Sequence, residues 1–175
     1  MKFANLAYQK TLPPLDQLHD NHVIDLLCTP IQTVDLDNFP NLKRFRASRS
    51  RRLASVTIKN CPNLEVIELS YCSSLSSIHL ENLPNLQALS LRLTKVSSLA
   101  FSLPSLKYLD ISCTQIGNQL PDAPNLLAFD ILNVTLTILI FYQLPINIHD
   151  YNDSVHLLTL IGLFTIRMDL SIEYV

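Results

Sequence analysis

Apolar residues recur along this chain at a short, nearly constant interval. With Ile31, Leu42, Leu53, Leu64, Leu75, Leu86, Val96, Leu106, Ile116, Leu126, Leu136 and Ile146 as marks, the step is eleven residues five times and then ten residues six times. Three residues beyond each mark the chain is apolar except at Gln119 and His149, and five beyond it is apolar except at Pro121. A chain that is 48% hydrophobic would fill only about half of such positions by chance. The unit is L-x-x-L-x-L, whose last three residues alternate in, out, in, as in a short strand. A strand this short cannot bury its apolar face alone, so successive units must stack into one continuous core. The exceptions predict irregular half-turns at the 116 and 146 marks.

A second signal has twice that period. Pro-Asn-Leu stands at 40–42, 62–64, 84–86 and 124–126, Pro104-Ser105-Leu106 is a near copy, and Pro145 continues the series. The prolines are 22, 22, 20, 20 and 21 residues apart. Proline before each unit blocks backward extension of the strand and fixes a turn. The Asn that follows is suited to bonding turn backbone, and its recurrence predicts a ladder of side chains along the stack.

The run Leu64-Glu65-Val66-Ile67-Glu68-Leu69-Ser70-Tyr71-Cys72 matches L-x-x-L-x-L-x-x-N/C, and Leu106-Lys107-Tyr108-Leu109-Asp110-Ile111-Ser112-Cys113-Thr114 repeats it with Thr last. On these residues the chain resembles leucine-rich repeat proteins, in particular the plant-resistance-type and bacterial-effector modules, over Ile31 to Phe141. The resemblance implies a mostly β, α/β-type solenoid, a right-handed coil with a parallel sheet and 20–22 residue repeats. It also implies a protein-binding role. The N/C position reads Ser50, Cys72, Thr94, Thr114 and Val134, so the family's Asn ladder is replaced, with the Asn of Pro-Asn-Leu as its substitute. So short a period leaves little room for a convex helix; extended or 3₁₀ segments, including a second narrow parallel sheet, suit the other face.

Solenoids must cover both open ends of their core. Residues 1–30 contain Leu15, Leu18, Val23, Ile24, Leu26 and Leu27 between Pro13-Pro14 and Pro30, a spacing that predicts an N-terminal helical cap split at Asp20-Asn21. The solenoid is assigned to 31–148. Residues 149–175 are read as a C-terminal cap, because Phe164 to Tyr174 alternates strictly and predicts a long half-buried strand. All three form one domain. The terminal strand is read as a cap rather than a pairing edge for a second copy, so a monomer is expected.

Composition narrows the classes. Only two glycines against ten prolines exclude a phosphate-cradling glycine loop. Charged residues make up 16% of the chain, well below the usual quarter, so disorder is not expected. Cys28, Cys61, Cys72 and Cys113 form no CxxC pair and read as free thiols in a reducing compartment, the cytoplasm or, for an effector, a host cytosol. Met1 to Asn5 lacks the apolar run of a signal peptide. Leu126–Tyr142 carries Asp130 and Asn133, and Leu157–Ile166 is short, so neither is read as a membrane span.

Charge is unevenly placed. Lys43, Arg44, Arg46, Arg49, Arg51, Arg52 and Lys59 supply seven of the thirteen Lys and Arg residues, in a chain of net charge −2. One reading is an anion, nucleic-acid or acidic-partner patch. The other is cross-strand pairing: Arg46 and Glu68 share a repeat position and should lie about 4.8 Å apart, strand to strand. The ladder Arg46, Glu68, Ser90, Asp110, Asp130 runs from basic to acidic. Negative overall charge and few interleaved aromatics argue against nucleic acid.

Candidate partner-binding residues are Arg44, Arg46, Arg49, Glu68, Tyr71, Tyr108 and Asp110, the tyrosines because they carry much contact area with few rotors. No catalytic, cofactor or metal residues are assigned. The histidines are scattered, Cys61 and Cys72 point into the stack, and His149, Asp150, Asp153 and His156 read as a polar loop. The chain is expected to be a protein-interaction module and not an enzyme, with another protein as partner. Self-association through the last strand, or anion binding through 43–59, is the alternative.

Overall fold

The computed structural model describes residues 2–11, 13–116 and 120–130, together with two short strands at 156–158 and 165–167. The described chain is a mostly β solenoid of about 6 turns. One parallel sheet runs along it, built from β1 (Phe3–Asn5), β2 (Val23–Asp25), β4 (Arg44–Arg46), β6 (Val66–Glu68), β8 (Ala88–Ser90), β9 (Tyr108–Asp110) and β10 (Ala128–Asp130). On the other face, β3 (Thr33–Asp37), β5 (Ser55–Lys59) and β7 (Ser77–Glu81) make a narrow second parallel sheet.

Register follows the repeat without slippage. Ile24, Phe45, Ile67, Leu89, Leu109 and Phe129 are successive partners in the long sheet, and none is more than 4% exposed. The leucines of the Pro-Asn-Leu units, Leu42, Leu64 and Leu86, are fully buried, as are Leu53 and Leu75 half a turn away. Thus the marks from Leu42 to Leu126 feed one spine, with Ile31 packed against its end, and the marks at Leu136 and Ile146 lie outside the described residues. Between units of 22 residues the second sheet forms; where the period falls to 20, only an isolated Ser102–Asp122 bridge remains there among the described residues.

The turns are closed by side chains in register. Asn63 Nδ2 donates to the Pro40 carbonyl at 2.7 Å, Asn85 to Pro62 at 2.8 Å and Asn125 to Pro104 at 2.7 Å. The predicted Asn ladder therefore exists, and each rung ties a proline turn to the coil before it. At the N/C position the described residues are buried and bond backbone carbonyls: Ser50 Oγ donates to Leu26, Cys72 Sγ to Ala47, Thr94 to Leu91 and Thr114 to Ile111. These hydroxyls and the thiol take the place of an Asn column. Burial pushes the Cys72 thiol up to about 11 and raises that of Cys61 as well.

The N-terminal segment differs from its predicted helical cap. Among the described residues of this segment only Leu15–Leu18 winds into a 3₁₀ turn, and Val23–Asp25 is a strand of the long sheet with β1 outside it. The reason is local. Ile24 and Leu26 occupy the second and third positions of a repeat unit, but its first position is Asn21, whose N–H and side-chain amide both bond the Leu18 carbonyl. A polar residue at the mark hid one coil.

At the other end Thr165–Arg167 (β12) pairs parallel with β10, and His156–Leu158 (β11) pairs antiparallel with β12. The remainder of the predicted 164–174 strand, and His149, Asp150 and Asp153, lie outside the described residues. Among the described residues no helix is long and apolar enough to cross a membrane.

Candidate interaction surface

The outer face of the long sheet presents two columns of side chains. The first runs Val23, Arg44, Val66, Ala88, Tyr108, Ala128, and the second Asp25, Arg46, Glu68, Ser90, Asp110, Asp130. The second column is internally satisfied. Arg46 Nε donates to Glu68 Oε2 at 2.9 Å and its Nη1 to Asp25 Oδ2 at 3.2 Å. The predicted Arg46–Glu68 pair is present, and Asp25, absent from that prediction, is its third member.

Asp110 is only 6% exposed. Its Oδ1 accepts the Ser112 N–H at 2.9 Å, and Asp25 and Asn5 make the same bond two residues on, to Leu27 and Ala7. A carboxylate or amide at this position thus builds the corner that follows the strand. Tyr108 donates its hydroxyl to Asp130 Oδ2 at 2.9 Å. Burial first, and then that bond and the Asp110 charge, hold its phenol well above the usual tyrosine range. Nearby, the buried Arg92 Nε makes no hydrogen bond among the described residues.

The corner after each strand is less ordinary. Tyr8, Cys28, Arg49, Tyr71, Leu93 and Cys113 all have φ between 55° and 65° and occupy one position on successive coils. Such a conformation costs a residue with a Cβ about 1–2 kcal/mol, and this chain has no glycine at any of these six corners. The opposite corner places Asn38, Asn60 and Asn82 in the same region, where Asn is tolerated. There Asn82 bonds Asn60 at 2.9 Å and Asn60 bonds Asp37 at 2.8 Å.

Four of the six corner side chains, Tyr8, Arg49, Tyr71 and Leu93, are exposed, while Cys28 and Cys113 are half-buried. Tyr8, Tyr71 and Leu93 are 69%, 42% and 39% exposed, and Arg49 lies with its guanidinium carbon 5.6 Å from the centre of the Tyr71 ring. Three adjacent coils therefore present Arg49, Tyr71 and Leu93 as one stripe along the edge of the sheet. Of the seven residues assigned from the sequence, the structure groups Arg49 with Tyr71 on this corner and leaves Arg44 exposed on the sheet beside it. Arg46, Glu68 and Asp110 are engaged within the second column, and Tyr108, from the first, donates to its Asp130. Leu93 and Tyr8 escaped sequence reasoning; the signal was their 20–22 residue offset from Cys28, Arg49 and Tyr71.

The metal-ligating residue types form no group able to hold an ion among the described residues. No family model matches this chain, and no curated protein matches it.

Proposed function

We propose that this solenoid is a protein-binding module of the leucine-rich repeat kind, and that its partner docks on the corner stripe Arg49, Tyr71 and Leu93 and the adjoining sheet face around Arg44. The observation that carries this reading is the run of bulky, exposed residues at positive φ on consecutive coils. Local strain of this sort persists where the surrounding structure over-determines it, and it clusters at sites of function. Here it holds an aromatic ring, an aliphatic side chain and a guanidinium outward on a stiff frame. A stiff frame loses little to ordering on binding, and Tyr and Arg are the residues that most often anchor interfaces.

The experiment is capture by immobilised chain, comparing the wild type with Tyr71→Ala/Leu93→Asp. Both side chains are exposed, so the variant should keep its thermal transition. Partners held by the wild type and lost by the variant support the reading. Undiminished capture places the contact elsewhere.

A further inference from the structure

The seven cations of 43–59 divide by what lies one coil away. Lys43 Nζ is 3.9 Å from Glu65, Arg46 lies between Asp25 and Glu68, and Lys59 Nζ is 3.2 Å from Glu81. These three are neutralised on the sheet faces. Arg44, Arg49, Arg51 and Arg52 are exposed and make no ion pair among the described residues. Their counterparts on the next coil explain why: Val66, Tyr71, Ser73 and Ser74, with no carboxylate in the set. On the preceding coil Arg44 faces Val23.

Four like charges on one coil repel, and the fold gains no pairing from them. Three of them are held on a fixed turn. Ser50, between Arg49 and Arg51, is fully buried and bonds the Leu26 carbonyl at 2.9 Å, while Arg49 rests over the Tyr71 ring. A guanidinium so placed offers its planar fork to a carboxylate.

We infer that the corner Arg49-Arg51-Arg52, with Arg44, receives a short acidic segment of the protein partner, its carboxylates pairing with these arginines. This rests on the protein-binding reading and specifies the partner's chemistry. Length and sign set the class. Beyond this coil the sheet carries Glu68, Asp110 and Asp130, and outside the cluster six basic residues stand against fifteen acidic ones. A long polyanion crossing the sheet meets repulsion; a segment confined to the arginine corner does not.

The probe is a fluorescent hexaglutamate peptide, followed by anisotropy at low and physiological ionic strength. A short oligothymidylate and phosphatidylserine vesicles are run beside it. The wild type should bind hexaglutamate in a salt-sensitive manner, and Arg49→Glu/Arg51→Glu/Arg52→Glu should weaken binding at least about tenfold. Lys10→Glu/Lys95→Glu/Lys107→Glu, an equal change of net charge on other exposed lysines, should leave binding nearly intact. Equal loss in both variants, no binding by the wild type, or tighter binding of the oligonucleotide or the vesicles overturns the inference. Should the arginine variant still capture partners that Tyr71→Ala/Leu93→Asp loses, the acidic segment falls and the protein-binding reading stands.

Discussion

Arg46 Nε and Glu68 Oε2 lie 2.9 Å apart across one strand spacing, and the same guanidinium reaches Asp25 at 3.2 Å. Asp25 is the buried member, at 6% exposure. Removing the arginine leaves that carboxylate without its cation, whereas removing Glu68 leaves an arginine still paired and open to water. Arg46→Ala should therefore cost about 1–2 kcal/mol and Glu68→Gln no more than about 0.5 kcal/mol. Urea unfolding of the two variants and their double mutant checks this; equal costs would assign the pair the larger role.

The Asn ladder makes a local prediction. Asn63 and Asn85 each hold a proline carbonyl of the preceding coil. Both side chains are exposed, so water can replace part of the bond, and Asn63→Ala or Asn85→Ala should each cost about 0.5–1 kcal/mol. Denaturation midpoints measured singly and together should be near additive, because the two rungs share no atoms.

How much of this architecture could be read in the sequence depends on which residue carried the signal. Leu42, Leu64 and Leu86 declare the spine because burial of an aliphatic side chain is what the period records. Asn63 and the Arg46–Glu68 pair follow from the same register. Asn21 shows the converse: one polar residue at a mark was enough to make strand β2 look helical, since Val23, Ile24, Leu26 and Leu27 also fit a helix face. The corner stripe was hidden for another reason. Tyr71 and Leu93 do not advertise positive φ as glycine would, so only their positions relative to Arg49 and Cys28 reveal it.

That strain is measurable. At Leu93, with φ of 56°, glycine relieves the Cβ clash and loses only a half-exposed side chain. Leu93→Gly should raise stability by about 0.5 kcal/mol, while Ala88→Gly in strand β8 should lower it by about 0.5–1 kcal/mol. Thermal or urea midpoints of the two glycine variants should therefore move in opposite directions.

Cys72 gives a pH dependence. Its thiol titrates near 11 in the folded chain against 9.0 ordinarily, because burial disfavours the thiolate. The folded state thus keeps a proton that the unfolded state gives up, and stability falls as pH rises from about 9 to 11. The contribution of this group is about 3 kcal/mol at most. Cys72→Ala should flatten that part of the profile when urea midpoints are recorded across the window. A slope identical to the wild type's would show that other groups cause it.

The most direct measurement concerns the stacking that sets every neighbour relation above. Val66 and Ala88 are register partners on adjacent strands, a separation within the range a disulfide spans, while Tyr108 lies one strand further on. In a background with Cys28 and Cys113 changed to Ser, Val66→Cys/Ala88→Cys should cross-link rapidly on mild oxidation of the folded chain, and Val66→Cys/Tyr108→Cys should not. Failure of the first pair, or equal cross-linking of the second, would contradict the stacked solenoid.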